Sequence, residues 1–146
     1  SKTMPSINVT QKSAIVYFNA PEGVDLCGQE GTVVALTASP DIPEFVGTPL
    51  SAIPTQTKLL GVVLQGQPNQ GTCVAALVGI YSGLIKAALS DTPGTINAGT
   101  PVTITANGTW KAAASGDTVY ARVIHAQWEQ GLVEIGFVPS YQVAAA

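Results

Sequence analysis

The sequence predicts an all-β protein: a small barrel or sandwich with an extended N-terminal segment and minimal helix. Three observations carry this. Fifteen glycines and ten prolines punctuate the chain, and they separate short runs rich in Val, Ile, Leu and Thr. These runs recur at intervals of roughly 8–12 residues, the spacing of sandwiches and barrels. No stretch combines helical periodicity with caps over a useful length.

In chain order, strands are predicted at Ile15–Phe18, Gly31–Thr37, Leu59–Leu64, Thr72–Val78, Ser82–Lys86, Pro101–Thr105, Val119–Gln127 and Leu132–Val138. Turn-forming clusters separate them at Ala38–Pro43, Gly66–Gly71, Asp91–Gly99 and Ala106–Gly108. Single helical turns are the most that Pro49–Ile53, Leu84–Leu89 and Ala112–Gly116 allow. The longest apolar run, Cys73 to Tyr81, is far short of the ~18 residues of a membrane span and reads as a buried strand. Ser1 to Pro5 opens no apolar stretch of the kind a secretory leader has. Residues 1–20 form either an arm that orders on a neighbour or the first strand, since Ile7 and Val9 are the only early apolar pair on one face. Residues 21–146 form the barrel domain.

A chain of 146 residues fits one domain, or two very small lobes sharing a core. Hydrophobic residues make up 46% of it, and mean hydropathy is +0.31, which excludes disorder. A net charge of −3 and a pI near 4.8 leave no basic footprint for nucleic acid or anionic lipid. Only 10% of residues are charged, where about 25% is usual. Such a surface desolvates cheaply, and two readings follow: ordinary polar faces, or a subunit covered by partners on several sides.

The segment Gly61 to Val78 can be laid over Ala121 to Val138 without gaps. Val63/Val123, Gln67/Gln127, Gln70/Gln130, Gly71/Gly131 and Val78/Val138 then coincide. Each copy is preceded by a related word, Gly47-Thr48-Pro49-Leu50 and Gly99-Thr100-Pro101-Val102. Two related β units, 47–80 and 99–138, are expected to close on each other.

Signals for catalysis are weak. Cys27 and Cys73 lie far apart without His or acidic neighbours at zinc spacing, so they are a disulfide or buried free thiols. His125, the single histidine, has no nucleophile motif beside it; strand alternation would place it on one face with Val123 and Gln127. Glu22 with Asp25, and Asp41 with Glu44, are the only candidate carboxylate pairs, and both sit in predicted loops beside Pro or Gly. Gly28-Gln29-Glu30-Gly31-Thr32 lacks the lysine of a phosphate loop. Trp110 and Trp128, with Tyr81, Tyr120 and Tyr141, could stack on sugars, though packing is their commoner use. No catalytic residue, cofactor or metal is expected.

One resemblance gathers these features. Ala98-Gly99-Thr100-Pro101-Val102-Thr103-Ile104, Gly108-Thr109-Trp110 and Gly116-Asp117-Thr118-Val119-Tyr120-Ala121-Arg122-Val123 resemble capsid decoration proteins of tailed bacteriophages. Gly47-Thr48-Pro49-Leu50, Gly61-Val62-Val63-Leu64 and Gly71-Thr72-Cys73-Val74-Ala75-Ala76-Leu77 are similar to the core pattern of the lambda-type head-stabilising family. The resemblance covers residues 47–138. The chain departs from the pattern in its greater length and its Trp128-Glu129-Gln130-Gly131 turn. The resemblance implies a β-barrel or β-tulip that trimerises on the outer surface of the expanded head and cements the major capsid protein. Its partners would be that protein and two further copies of itself, with no direct nucleic acid and no membrane. It also implies that an N-terminal segment contacts the shell, which here is Ser6, Ile7, Asn8, Val9, Thr10, Gln11, Lys12, Ser13, Ala14, Ile15 and Val16. A carbohydrate-binding or adhesin-type β module is the alternative.

Overall fold

The structure, a computed structural model, describes residues 14–68, 71–91, 95–127 and 131–145. Its strands are β1 (Ile15–Asn19), β2 (Val33–Ala38), β3 (Phe45–Pro49), β4 (Leu60–Gln65), β5 (Thr72–Leu77), β6 (Leu84–Ala88), β7 (Pro101–Ile104), β8 (Trp110–Ala112), β9 (Thr118–His125) and β10 (Leu132–Gln142). No α-helix occurs among the described residues, and the all-β expectation is met. Leu84–Leu89, one of the segments that could have formed a helical turn, is β6 in all but its last residue. The apolar run from Cys73 is strand only to Leu77; the chain then turns, leaving Ile80 exposed.

Strands β1 to β5 close into a barrel in the order β1-β3-β2-β4-β5, and β6 to β10 form a sheet in the order β6-β10-β9-β7-β8. These are the same topology twice. The hairpin β4–β5 pairs Gly61 with Leu77, Val62 with Ala76, Val63 with Ala75 and Gln65 with Val74. Sixty residues on (61 to 121), β9–β10 pairs Ala121 with Phe137, Arg122 with Gly136, Val123 with Ile135 and His125 with Glu134. Even the bulge recurs, at Leu64 and Ile124. The flanking strands follow: β1 pairs β5 as β6 pairs β10, and β2 pairs β4 and β3 as β7 pairs β9 and β8.

The repeat is therefore longer than 47–80 and 99–138: each unit has five strands. The matching word also changes. Gly99-Thr100-Pro101-Val102 corresponds to Gly31-Thr32-Val33-Val34, not to Gly47-Thr48-Pro49-Leu50, which closes β3. Gly31 and Gly99 both have φ of +89°. The Gly31 amide donates to the Val63 carbonyl at 2.8 Å, as Gly99 does to Val123 at 2.7 Å. Val63 donates back to Thr32 at 2.9 Å, as Val123 does to Thr100 at 3.0 Å.

The units differ at one seam, and the difference joins them. In the first, β1 pairs in parallel with β3 through Phe18–Phe45 and Asn19–Val46, closing the barrel. In the second, β6 and β8 form no ladder among the described residues; Leu89, just past β6, makes a single parallel bridge with Trp110. The gap beside that bridge holds the start of β2. The Ala88 amide donates to the Gly31 carbonyl at 2.9 Å, and the Val33 amide donates to the Gly108 carbonyl at 2.8 Å. Backbone groups that would face each other across a closed barrel face the first unit instead, and stay satisfied.

Two apolar clusters result. Val16, Phe18, Ala20, Leu26, Val34, Leu36, Val63, Cys73 and Ala75 fill the barrel. The inner face of the second sheet, centred on Trp110, Ile104, Val123 and Ile135, shares one cluster with Val33, Leu60, Val62 and Ala76 of the first unit. The last four point outward from the barrel, because their strand neighbours Val34, Val63 and Ala75 point in. The two lobes thus share a core.

Candidate functional site

The structure disperses the residues that the sequence offered for chemistry. His125 is exposed at the end of β9. Val123 is buried, so the two do not share a face as strict alternation predicts. The bulge at Ile124 adds one residue and turns His125 outward. Asp25 and Asp41 serve their own turns, Asp25 accepting from the Cys27 amide at 2.8 Å and Asp41 donating its amide to Ser39 Oγ at 3.2 Å. Among the described residues, no group of three or more His, Cys, Asp or Glu is placed to hold a metal ion. No helix among them is long and apolar enough to cross a membrane.

Both described cysteines carry free thiols. Cys73 is a buried one, as expected of an apolar chain, whereas Cys27 is exposed in the loop after β1. Burial pushes the Cys73 thiol above its ordinary value of 9.0; a backbone hydrogen bond from Gln67 opposes this, and the negative charge of Glu30 adds to it. The same desolvation raises the Tyr120 phenol.

Among the described residues, one aromatic pair is in ring contact, and it is in the core. Trp110 is fully buried, tilted 31° to Phe137 with ring centroids 6.4 Å apart. Its indole Nε1 has no partner. Trp128 lies outside the described residues. Tyr120 is buried, Tyr81 half-buried and Tyr141 exposed. A shallow groove of about 200 Å³ lies where the units meet, lined by Gln56, Leu60, Val78, Tyr120, Val138 and Pro139 among others.

Of the segment expected to contact a shell, Ser6 to Ser13 lie outside the described residues. Ala14 is half-buried with φ of +53°, and its carbonyl accepts from the Leu77 amide at 3.0 Å. Ile15 is half-buried in β1. Val16 is a core residue of the barrel, 3% exposed, so its side chain faces Phe18 and Ala75 and not a partner.

What the surface does offer is apolar area. Tyr17, Ile42, Ile53, Leu59, Ile80, Leu84, Ile124 and Tyr141 are large hydrophobic residues at least one-third exposed. The only salt bridge among the described residues joins Lys111 to Asp117 at 3.8 Å. Sequence reasoning did not single out Leu84 or Ile124. Both sit in predicted strands, and only strand pairing shows which way each points.

The class defined here is an all-β protein built from a closed five-stranded barrel and a second five-stranded sheet of the same topology. Compared with known proteins, the chain matches no family model, and no curated protein matches it significantly.

Proposed function

We propose that this chain is a structural adhesion protein of a virion. It binds the outer surface of an expanded phage capsid as a homotrimer and ties neighbouring copies of the major capsid protein together. The observation that carries this reading is the surface: few charges, and, among the described residues, eight large apolar side chains exposed. A face of that kind gives up little hydration on contact and presents area to neighbours. Affinity for the mature lattice over the loosened one stabilises the mature lattice by mass action. Many copies on a symmetric shell add avidity, so each contact can be modest. The burial of Trp110 removes one of the two tryptophans from any sugar-stacking role.

Mixing tests it. Purified chain is added to undecorated phage heads, expanded and unexpanded, and co-sedimentation and heat resistance are measured. Expanded heads should take up the protein and survive hotter treatment, and unexpanded ones should bind little. A variant lacking residues 1–13 should lose most of its binding. Equal decoration by that variant would take the N-terminal segment out of the contact, and no binding to either head would refute the reading.

A further inference from the structure

The chain holds one Asn-Gly pair, Asn107-Gly108, and it lies in the turn that joins β7 to β8. Glycine has no Cβ, so the amide following the asparagine is unhindered and its backbone rotates freely once released. Asn107 is exposed, whereas Gly108 is buried with φ of +81°. Hydrogen bonds hold the turn. The Gly108 amide donates to the Thr105 carbonyl at 3.0 Å, and the Thr105 amide donates to the Thr109 carbonyl at 2.8 Å. The Asn107 amide donates to Thr105 Oγ1 at 3.3 Å. Gly108 also belongs to the seam between the units, because its carbonyl accepts from the Val33 amide at 2.8 Å.

An asparagine so placed has one reaction open to it with water alone. The Gly108 nitrogen gives its proton to hydroxide and attacks Asn107 Cγ. The N–Cγ bond forms, the Cγ–Nδ2 bond breaks, and the amide nitrogen leaves as ammonia with a proton taken back from water. Water then opens the resulting succinimide. Attack at the side-chain carbonyl gives aspartate, and attack at the main-chain carbonyl gives isoaspartate. The fold opposes the first step, because a succinimide nitrogen carries no hydrogen and the Gly108–Thr105 bond is lost on closure. Isoaspartate then runs the backbone through Cβ and Cγ, one carbon longer, immediately before the carbonyl that holds Val33.

We infer that Asn107 is a deamidation site which the native turn holds back, and that its isoaspartate product loosens the seam between the two units. Reaction requires the turn to open locally, so its rate in the folded chain is scaled down by the fraction of time spent open. The two products differ in what they disturb. Aspartate keeps the original backbone and adds a charge at an exposed position, so it leaves the seam as it was. Isoaspartate displaces Gly108, which has backbone of the first unit directly against it. The inference stands apart from the adhesion reading and does not depend on any partner.

Peptide mapping by mass spectrometry tests it on the full chain held at pH 8 and 37 °C, beside a sample unfolded in guanidinium chloride. Asn107 should convert at least about ten-fold faster in the unfolded sample, because the folded one waits on opening of the turn. Equal rates, or no conversion of the unfolded chain, overturn the inference. The unfolded sample is then refolded, and its asparagine, aspartate and isoaspartate forms are separated by ion exchange. The isoaspartate form should melt at least about 4 °C below the parent, or fail to refold where the other two succeed. Its Val33 amide should exchange with deuterium faster. The variant Asn107→Asp carries the same charge on the unaltered backbone and should melt within about 2 °C of the parent. An isoaspartate form with the parent's Tm and Val33 exchange, or an Asn107→Asp variant that melts as low as the isoaspartate form, overturns the effect on the seam.

Discussion

Gly108 and Gly31 are the residues on which the union of the two units turns. Both have positive φ, +81° and +89°, and both approach backbone across the seam. A Cβ on Gly108 would lie 2.7 Å from the Val33 carbonyl oxygen, and one on Gly31 would lie 2.6 Å from the Ala88 nitrogen. Neither neighbour is a flexible side chain that can step aside. Gly108→Ala should therefore destabilise the protein by on the order of 2–4 kcal/mol, from backbone strain and overpacking together. A differential scan should show Tm falling by about 3 °C per kcal/mol. A Tm within 2 °C of the parent would show that the seam is looser than described.

The thiols give a second residue-scale prediction. A thiol-alkylating reagent at pH 8 should label Cys27 in the native protein and Cys73 only after unfolding. The raised Cys73 and Tyr120 values also set a direction with pH. Near pH 7 both groups are protonated, folded or unfolded, and their contribution is complete. Above that, the unfolded chain ionises first and binds fewer protons than the folded one, so stability falls as pH rises. Urea midpoints at pH 7, 9 and 10.5 should decline in that order; a rise would contradict the burial of both groups.

At the scale of the element, the two units solve one packing problem in opposite ways. Phe18 of β1 packs where a Cβ on Gly47 would lie 2.4 Å from its ring, so the large residue is on β1 and the small one on β3. The matching positions in the second unit are Ala87 on β6 and Trp110 on β8, so bulk and its absence have changed strands. Gly47→Ala should cost about 1–3 kcal/mol by overpacking, and Phe18→Ala about 3–5 kcal/mol through the cavity it leaves. Combining Phe18→Ala with Gly47→Trp imports the second unit's arrangement into the first. The double variant should be more stable than the sum of the single changes by at least 1 kcal/mol, measured by a denaturant double-mutant cycle. Additivity would mean that the two positions are not equivalent.

Strand legibility follows the same logic. The eight predicted strands all correspond to observed ones, with ends shifted by a few residues. The two missed, β3 and β8, contain Gly47, Thr48 and Pro49, or only three residues. Neither has the β-branched run by which a strand declares itself in isolation. Each pairs with a strand, β2 or β7, whose other edge is taken by β4 or β9.

For the molecule as a whole, the shared cluster decides cooperativity. Val33, Leu60, Val62 and Ala76 belong to the first unit by chain and to the second by packing. Calorimetry should therefore show one transition, with equal calorimetric and van't Hoff enthalpies. Residues 82–146 made alone should not fold stably, since the inner face around Trp110 would lose both this cover and the Gly31–Val33 segment. Two separated transitions would show that the lobes are independent.

The sequence by itself determined the β class, most strands, the scarcity of charge and the existence of a repeat. Each of these depends on residue type or on spacing along the chain. The extent of the repeat, the correct pairing of Gly31 with Gly99, and the outward turn of Ile124 and His125 were decided only by tertiary structure. Strand pairing and bulges join residues distant in sequence, and they settle which face each side chain takes. The five identities of the β4–β5 and β9–β10 hairpins were legible because those strands are consecutive in each unit. The flanking strands kept their backbone geometry while Phe18 and Gly47 gave way to Ala87 and Trp110, so their kinship survives in hydrogen bonds and not in letters.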